Sequence, residues 1–123
     1  MTEKRQKFGK AGEEAAVAFL KKKGYRIVQK NFKTAVGEID IIAENDKAVI
    51  FIEVKTRSGD RFGHPSLAVS PHKQKKLVQT EESFLVRYKI KDRDMRFDVL
   101  SVTGSPNAPD FWNIEHIENA FHS

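Results

Sequence analysis

Near the N-terminus, apolar and small residues recur every three or four positions between about Thr2 and Lys23, a spacing that predicts an amphipathic helix. Three lysines lie in the last turn of this segment and Gly24 follows it, which predicts that the helix ends there. At about 100° per residue, Glu13 falls on the same stripe as the apolar side chains. We therefore expect its carboxylate to face the core or the edge of the core.

Three segments after this helix have strand-like patterns. Tyr25–Phe32 is rich in β-prone residues but alternates poorly, which predicts a strand at the edge of a sheet. Val36–Glu44 and Lys47–Thr56 are more apolar, and the turn-forming pair Asn45-Asp46 lies between them. The sequence therefore predicts a β-hairpin in this region.

A segment without periodicity separates the hairpin from a second helix. Arg57–Val69 contains glycines, a proline and two arginines, which predicts a surface loop that flanks a site. Ser70-Pro71 then combines a capping hydroxyl with proline at the first helical position. We expect the second helix to begin there and to end near Lys89.

The C-terminal third of the chain predicts further strands. Met95–Thr103 alternates as a strand, Gly104–Pro109 is typical of a loop, and Trp112–Ile117 predicts a short final strand or turn. A helix, three strands, a helix and one or two strands predict an α+β or α/β fold in which helices cover a mixed sheet. The length of 123 residues favours one domain that spans residues 1–123.

Composition and charge narrow the classes of partner and site. The chain contains 22 Lys and Arg against 17 Asp and Glu, and its net charge of +5 favours polyanionic partners. The absence of cysteine excludes disulfide frameworks, thiolate zinc sites and cysteine nucleophiles. No apolar run is long enough to span a membrane, and the N-terminus does not resemble a signal peptide. We therefore expect a cytoplasmic protein with no membrane partner.

The predicted hairpin carries acidic residues within apolar strands. Two-residue periodicity puts Asp40 on one face of the first strand, and Glu53 and Lys55 on one face of the second. Asp40 would lie opposite Phe51 if the turn is tight, or opposite Glu53 if the loop has four residues. In both registers the two carboxylates and Lys55 share one face. One interpretation is a solvated face of an amphipathic hairpin, in which a cross-strand ion pair contributes at most about 1 kcal/mol.

Apolar residues on both faces of the hairpin favour a second interpretation. The acid-bearing face also carries Val36, Ile42, Val49 and Phe51, and the opposite face carries Ile39, Ile41, Ile50, Ile52 and Val54. Such a hairpin is covered on both sides, and two carboxylates that converge there repel each other unless a cation joins them. Oxygen ligands without a histidine or cysteine cluster favour a hard ion, Mg²⁺ or Mn²⁺.

Asp40, a gap of twelve residues and Glu53-Val54-Lys55 resemble the PD-(D/E)XK motif of restriction-endonuclease-like nucleases, with Ile39 in the position of the motif's proline. Further matching positions are Gly12-Glu13, Gly24-Tyr25, Asn31, Gly37-Glu38-Ile39-Asp40, Phe51–Arg57, Phe62-Gly63, Lys73 and Phe97-Asp98-Val99. Over nearly its whole length the chain is similar to the bacterial YraN-type family of uncharacterised proteins, relatives of archaeal Holliday-junction resolvases. The resemblance implies a restriction-endonuclease-like mixed sheet flanked by helices.

The resemblance also implies a catalytic group made of Glu13, Asp40, Glu53 and Lys55. Asp40 and Glu53 would ligate Mg²⁺ or Mn²⁺, with the backbone carbonyl of Val54 as a third oxygen. Lys55 would orient the attacking water and help to deprotonate it, and Glu13 would complete the acidic cluster directly or through a water. The implied reaction is metal-dependent hydrolysis of phosphodiester bonds, in DNA rather than RNA, with branched or irregular DNA as the expected substrate.

Basic residues around this group are candidates for contact with a nucleic-acid backbone. They are Lys73, Lys75 and Lys76 at the start of the second helix, and Arg57 and Arg61 in the preceding loop. For Lys75 and Lys76 a solvated helix face is an equally good interpretation. A symmetric homodimer would supply two sites for paired cuts. Two other functions stay open: a non-catalytic DNA-binding accessory that recruits repair or recombination proteins, and an RNA-associated or ribosome-associated protein.

Two further acids in the predicted strands are expected to be structural. Glu38 lies farther toward the start of its strand than Asp40, so we expect it to form a salt bridge at the rim. Asp98 shares a strand face with Leu100 and Val102, which favours a structural hydrogen bond or ion pair.

Overall fold

Two helices and five strands make up the part of the chain that the computed structural model describes, which is residues 3–58, 69–105 and 108–121. Arg61 and most of the predicted loop Arg57–Val69 lie outside these residues. The elements are α1 (Glu3–Lys22), β1 (Arg26–Lys33), β2 (Glu38–Glu44), β3 (Ala48–Ser58), α2 (Pro71–Arg87), β4 (Asp94–Ser105) and β5 (Ala108–Phe121).

The described strands form one mixed sheet in the order β1-β2-β3-β4-β5. β1 pairs with β2, β2 with β3 and β4 with β5 in antiparallel fashion, whereas β3 and β4 are parallel. Parallel neighbours need a crossover connection, and here the crossover contains α2. The predicted α+β fold with a mixed sheet is confirmed, and β1 lies at the sheet edge as expected.

Each face of the sheet is covered by one helix, and each helix closes a separate core. Ala16 and Leu20 of α1 pack on one face, and Leu77 and Phe84 of α2 pack on the other. Both faces of β3 are therefore buried, as the apolar residues on its two sides predict. The sheet residues under α1 are Ile41, Ala43, Ala48, Ile50, Ile52, Leu100 and Val102, and those on the α2 side are Phe32, Ile39, Ile42, Val49, Phe51, Phe97, Val99 and Phe121.

Local signals in the sequence explain where the helices end and begin. Gly24 has a φ of +96°, and its N–H donates to the carbonyl of Lys21 while the N–H of Tyr25 donates to that of Leu20, each at 3.0 Å. This pattern is a Schellman motif, which needs a residue that tolerates the left-handed region. At the start of α2, the Ser70 hydroxyl accepts the N–H of Lys73 at 3.2 Å.

The C-terminal strand is the largest difference from the sequence-based expectation. β5 has 14 residues, and β4 continues into the segment predicted as a loop. Irregularities in the β4–β5 pairing let the strands stay together through a polar sequence, and Asn119 has a φ of +54° beside one of them. Because β5 is an edge strand, polar side chains such as Asn113, Glu115 and Glu118 are exposed, and its alternation of apolar residues is weak.

None of the helices in the described ranges combines the length and apolarity needed to cross a membrane.

Candidate metal and nucleic-acid site

The turn of the hairpin selects one of the two registers that the sequence left open. β2 and β3 pair from Ile41 opposite Ile52 to Glu44 opposite Val49, so four residues, 45–48, lie between the last paired positions. The Asn45 side chain stabilises this turn by accepting the N–H groups of residues 47 and 48, each at 2.9 Å. This is the predicted register that brings Asp40 opposite Glu53.

The two strands separate at Asp40. Their pairing stops at Ile41, and in a continued ladder the N–H of Val54 would face the backbone of Ile39. Instead, the Val54 N–H donates to Oδ2 of Asp40 at 2.8 Å. The alternation of β2 breaks at the same place, because Ile39 packs in the same core as Ile42. The expectation that Ile39 shares the face of Ile41 is therefore wrong.

Glu53 lies beside Asp40 and has an ammonium group as its neighbour. The two carboxyl groups are within hydrogen-bonding reach of each other. The Glu53 side chain is 10% exposed, and Nζ of Lys73 lies 2.8 Å from its Oε2. Within the described residues this buried oxygen accepts no hydrogen bond of good geometry. The contact with Lys73 is therefore an ion pair, and it leaves the oxygen poorly satisfied.

The environment of Asp40 disfavours its ionised form. Burial is the largest cause, and the hydrogen bond and negative charge of Glu53 act in the same direction. The Val54 N–H opposes these effects, and the more distant charge of Glu13 adds a smaller increase. Together they raise the pKa of Asp40 to about 8. Without a cation, Asp40 therefore keeps its proton near neutral pH.

Lys55 is part of the same group of charges. Burial is the main reason that the pKa of Lys55 is lowered, and the positive charges of Lys73 and Arg57 lower it further. The negative charge of Glu53 acts in the opposite direction. The structure therefore brings together Asp40, Glu53 and Lys55, and adds Lys73 to them.

Glu13 lies in the neighbouring groove and not in the cleft of Asp40 and Glu53. Its Oε1 accepts a hydrogen bond from the Asn31 side chain at 2.9 Å. The groove, between α1 and the strands β1 and β2, has a volume of about 910 Å³. Among the described residues, no three aspartate, glutamate, histidine or cysteine side chains form a group that could hold a metal ion. A role for Glu13 through a water stays a prediction.

Asn31 is a residue to which reasoning from the sequence assigned no role. The β1–β2 register places it opposite Asp40, and its φ of 53° lies in the left-handed region. Asparagine tolerates this region better than most residues, and its amide is thereby directed at Glu13. An asparagine inside an otherwise β-prone segment is a weak signal of such a backbone position.

The predicted phosphate-binding residues do not all lie at the site. Lys76 and Lys73 line a cleft of about 250 Å³ together with Asp40 and Glu53. Lys75 instead lines a separate depression on the outer side of α2, so the structure does not bring it to the carboxylates. Arg57 acts on Lys55 through its charge.

Two acids have structural partners, as expected from the sequence. Glu38 lies at the rim, where Oε2 is 3.6 Å from Nζ of Lys33. Asp98 is fully buried and accepts hydrogen bonds from Arg96 at 2.8 and 2.9 Å. It also contacts Nε2 of His116 at 2.7 Å, away from the cleft of Asp40 and Glu53.

Comparison with known proteins assigns the chain to a family. The model of the uncharacterised protein family UPF0102 matches residues 12–102. A UPF0102 protein of Caldanaerobacter subterraneus is 42% identical over 113 residues, which cover 92% of this chain and 93% of the relative. A UPF0102 protein of Chlorobium phaeobacteroides is 45% identical, and the alignment covers 92% of this chain and 92% of the relative. A UPF0102 protein of Geobacter sulfurreducens is 44% identical, and the alignment covers 92% of this chain and 87% of the relative. The chain therefore belongs to the UPF0102 family, which confirms the family resemblance noted in its sequence.

Proposed function

We propose that this protein is a metal-dependent endonuclease that hydrolyses phosphodiester bonds in DNA. The observation that carries the proposal is the meeting of Asp40 and Glu53 where β2 leaves β3, next to Lys55. Two carboxylates and an amine in one cleft are the groups that metal-assisted hydrolysis requires.

The donor atoms in this cleft fit a hard divalent cation. They are oxygens, and one of them, Oε2 of Glu53, is buried without a well-aligned hydrogen bond. A cation between the two carboxyl groups would also offset the burial and the repulsion by Glu53 that keep a proton on Asp40. Asp40 and Glu53 would hold Mg²⁺ or Mn²⁺, with the Val54 carbonyl as a further candidate. When bound, such an ion polarises a phosphodiester oxygen and lowers the pKa of a bound water.

The other groups in the cleft have roles that follow from their charges. Lys55, whose pKa burial lowers, can orient the attacking water and exchange a proton with it more readily than an exposed lysine. Lys76 lines the same cleft and can bind a non-bridging phosphate oxygen. Contacts of this kind recognise the backbone rather than the base sequence.

The proposed substrate is DNA, and the proposed partners are a second copy of the chain and proteins of DNA repair or recombination. The net charge of +5 supports a nucleic acid, and the resemblance to Holliday-junction resolvases favours DNA of branched or irregular shape. A homodimer with two clefts would allow paired cuts, and proteins of repair or recombination are the partners that this substrate implies.

The test is cleavage of duplex, forked, four-way and single-stranded DNA, and of RNA, with Mg²⁺ or Mn²⁺. We expect Asp40→Asn and Glu53→Gln to abolish cutting, because each removes a negative ligand. Lys55→Ala is expected to reduce the rate by about a hundredfold or more, as for loss of a general acid or base. The matched control is Asp46→Asn, which removes an equal charge from the exposed turn of the same hairpin.

The outcomes separate this proposal from its main alternative. Cutting that survives all three substitutions would contradict the assigned site. A wild-type protein that binds these substrates but cuts none of them would favour a non-catalytic accessory. The ion pair between Lys73 and Glu53 is the observation that supports this alternative, because an ammonium can neutralise Glu53 without any metal. Glu13→Gln, run beside the others, tests whether α1 contributes to catalysis.

A further inference from the structure

The side chain of Lys73 has a partner that its predicted role as a phosphate contact does not explain. Its Nζ lies 2.8 Å from Oε2 of Glu53. That oxygen is the buried atom for which the described residues supply no well-aligned hydrogen bond. An ammonium is therefore placed against the carboxylate oxygen that the proposed function assigns to a metal ion.

We propose that Lys73 is a positioning residue that holds Glu53 in the metal-free protein and gives up this place to the divalent cation. The inference rests on the metal site of the proposed function and adds to it a competition between two cations for one carboxylate. Once displaced, the ammonium of Lys73 stays in the cleft and contacts the phosphate of the substrate. One lysine thus has two successive anionic partners.

The difference in exposure between the two partners shows which of them can move. The Lys73 side chain is 52% exposed, whereas that of Glu53 is 10% exposed. Glu53 is also fixed through the backbone, because β3 stays paired with β4 both before and after this residue. Lys73 has a flexible stem on the first turn of α2. The lysine, rather than the carboxylate, therefore changes position when a metal binds.

The backbone of Lys73 does not depend on this ion pair. Its N–H is held by the Ser70 hydroxyl, and Pro71 favours the helical start. A substitution that shortens or neutralises the side chain therefore leaves the cap of α2 intact. Lys76 provides a matched comparison. It lines the same cleft, but the lysine that forms the ion pair with Glu53 is Lys73.

The experiment is calorimetric titration of the full chain with Mn²⁺ alone, without nucleic acid, at low ionic strength. We expect Lys73→Met to bind Mn²⁺ at least about tenfold more tightly than wild type, because the competing charge is gone. Lys76→Met removes an equal charge from the cleft but no contact with Glu53, and is expected to change the affinity by at most about threefold. Lys73→Arg keeps a competing cation and is expected to restore weak binding.

Three results would overturn the inference. Lys73→Met could bind Mn²⁺ no more tightly than Lys76→Met, it could bind more weakly than wild type, or neither it nor wild type could bind the ion at all. The second result would mean that Lys73 supports the metal site instead of competing for it. Thermal unfolding of each variant shows that it is folded. A protein that binds Mn²⁺ in the expected pattern but cuts no nucleic acid would contradict the nuclease proposal and leave the competition at Lys73 intact.

Discussion

Glu81 is a buried acid on the face of α2 that packs against the sheet. It is 5% exposed and lies on the same face as Leu77 and Phe84. Burial, with a smaller contribution from the charge of Glu82, raises the pKa of Glu81 to about 7. An acid whose pKa is higher in the folded than in the unfolded chain takes up a proton on folding. Its contribution to stability is complete below about pH 4.5 and is lost as the pH rises through about 7.

Glu81→Gln is therefore expected to stabilise the protein above pH 7, by about 2 kcal/mol. Near pH 4 the two proteins should unfold at similar urea concentrations, because Glu81 is then protonated and resembles glutamine. The measurement is urea unfolding at several pH values, with Glu14→Gln, an exposed acid of α1, as the control. A wild-type advantage at pH 8 would contradict the argument.

The residues of the candidate site differ in how far the sequence predicts them. Asp40, Glu53 and Lys55 could be grouped in advance, because a two-residue period and a short turn decide which side chains of a hairpin meet. The contact of Lys73 with Glu53 could not, since it depends on how α2 is placed on the sheet. The same holds for Asn31, whose role depends on the approach of α1.

At the scale of elements, the close packing of α1 on β3 depends on Gly12. A Cβ at this position would lie 2.5 Å from both Cγ2 and Oγ1 of Thr56. The absence of a side chain at this position lets the helix backbone approach the strand. Glu13 is the next residue, so this close approach also sets how near its carboxylate comes to Asp40.

Gly12→Ala is expected to destabilise the protein by about 1–3 kcal/mol, because the new methyl group overlaps Thr56. Gly9→Ala is the matched control in the same helix. It meets no atom within 4 Å and should stabilise the protein by up to about 1 kcal/mol through helix propensity. Urea unfolding of the Gly12→Ala and Thr56→Ala single and double variants gives the coupling between the two positions. Additive effects would show that the overlap is not the cause.

The helices and the hairpin were predictable because their signals are local. Gly24 and Ser70 are such signals, and both act at the predicted helix ends. The length of β5 was not predictable, because an edge strand needs little apolar alternation once its partner supplies the backbone hydrogen bonds. The break in alternation at Asp40 was not predictable either, because there the Asp40 side chain, rather than a backbone carbonyl, accepts the N–H of Val54.

At the scale of the whole molecule, Asp98 connects parts of the chain that are distant in sequence. It accepts hydrogen bonds from Arg96 and from the N–H of Asn119, and Arg96 also donates to the hydroxyl of Tyr25. Nδ1 of His116 lies 2.8 Å from the Lys23 ammonium, which can only donate. Nε2 of this histidine therefore donates to Asp98. The end of α1 is thus tied to β4 and β5.

Asp98→Asn is expected to destabilise the protein by about 3–5 kcal/mol, because an amide cannot accept all these bonds and Arg96 loses its nearest counter-charge, keeping only Glu118 at 3.6 Å. Burial alone would raise the pKa of Asp98, but bonds from His116 and Arg96 outweigh it and hold the pKa below its usual value. The stability that Asp98 contributes is therefore complete above the usual pKa of an aspartate and is lost as the pH falls from there through the lowered pKa of the folded protein. Urea unfolding at neutral pH measures the loss, with exposed Asp92→Asn as the control. A change below about 1 kcal/mol would contradict this role.

The pairing of β3 is one-sided where the candidate ligands lie. β4 stays hydrogen-bonded to β3 from Ala48 to Ser58, whereas β2 departs beyond Ile52. One flank of β3 thus supplies rigidity, and the other borders an open slot, the cleft of about 250 Å³ that Asp40 and Glu53 line. Substitutions that reshape the slot would alter which molecules can enter while the anchored flank preserves the alignment of Glu53 and Lys55. Within such a scaffold, selectivity can diversify independently of the chemistry.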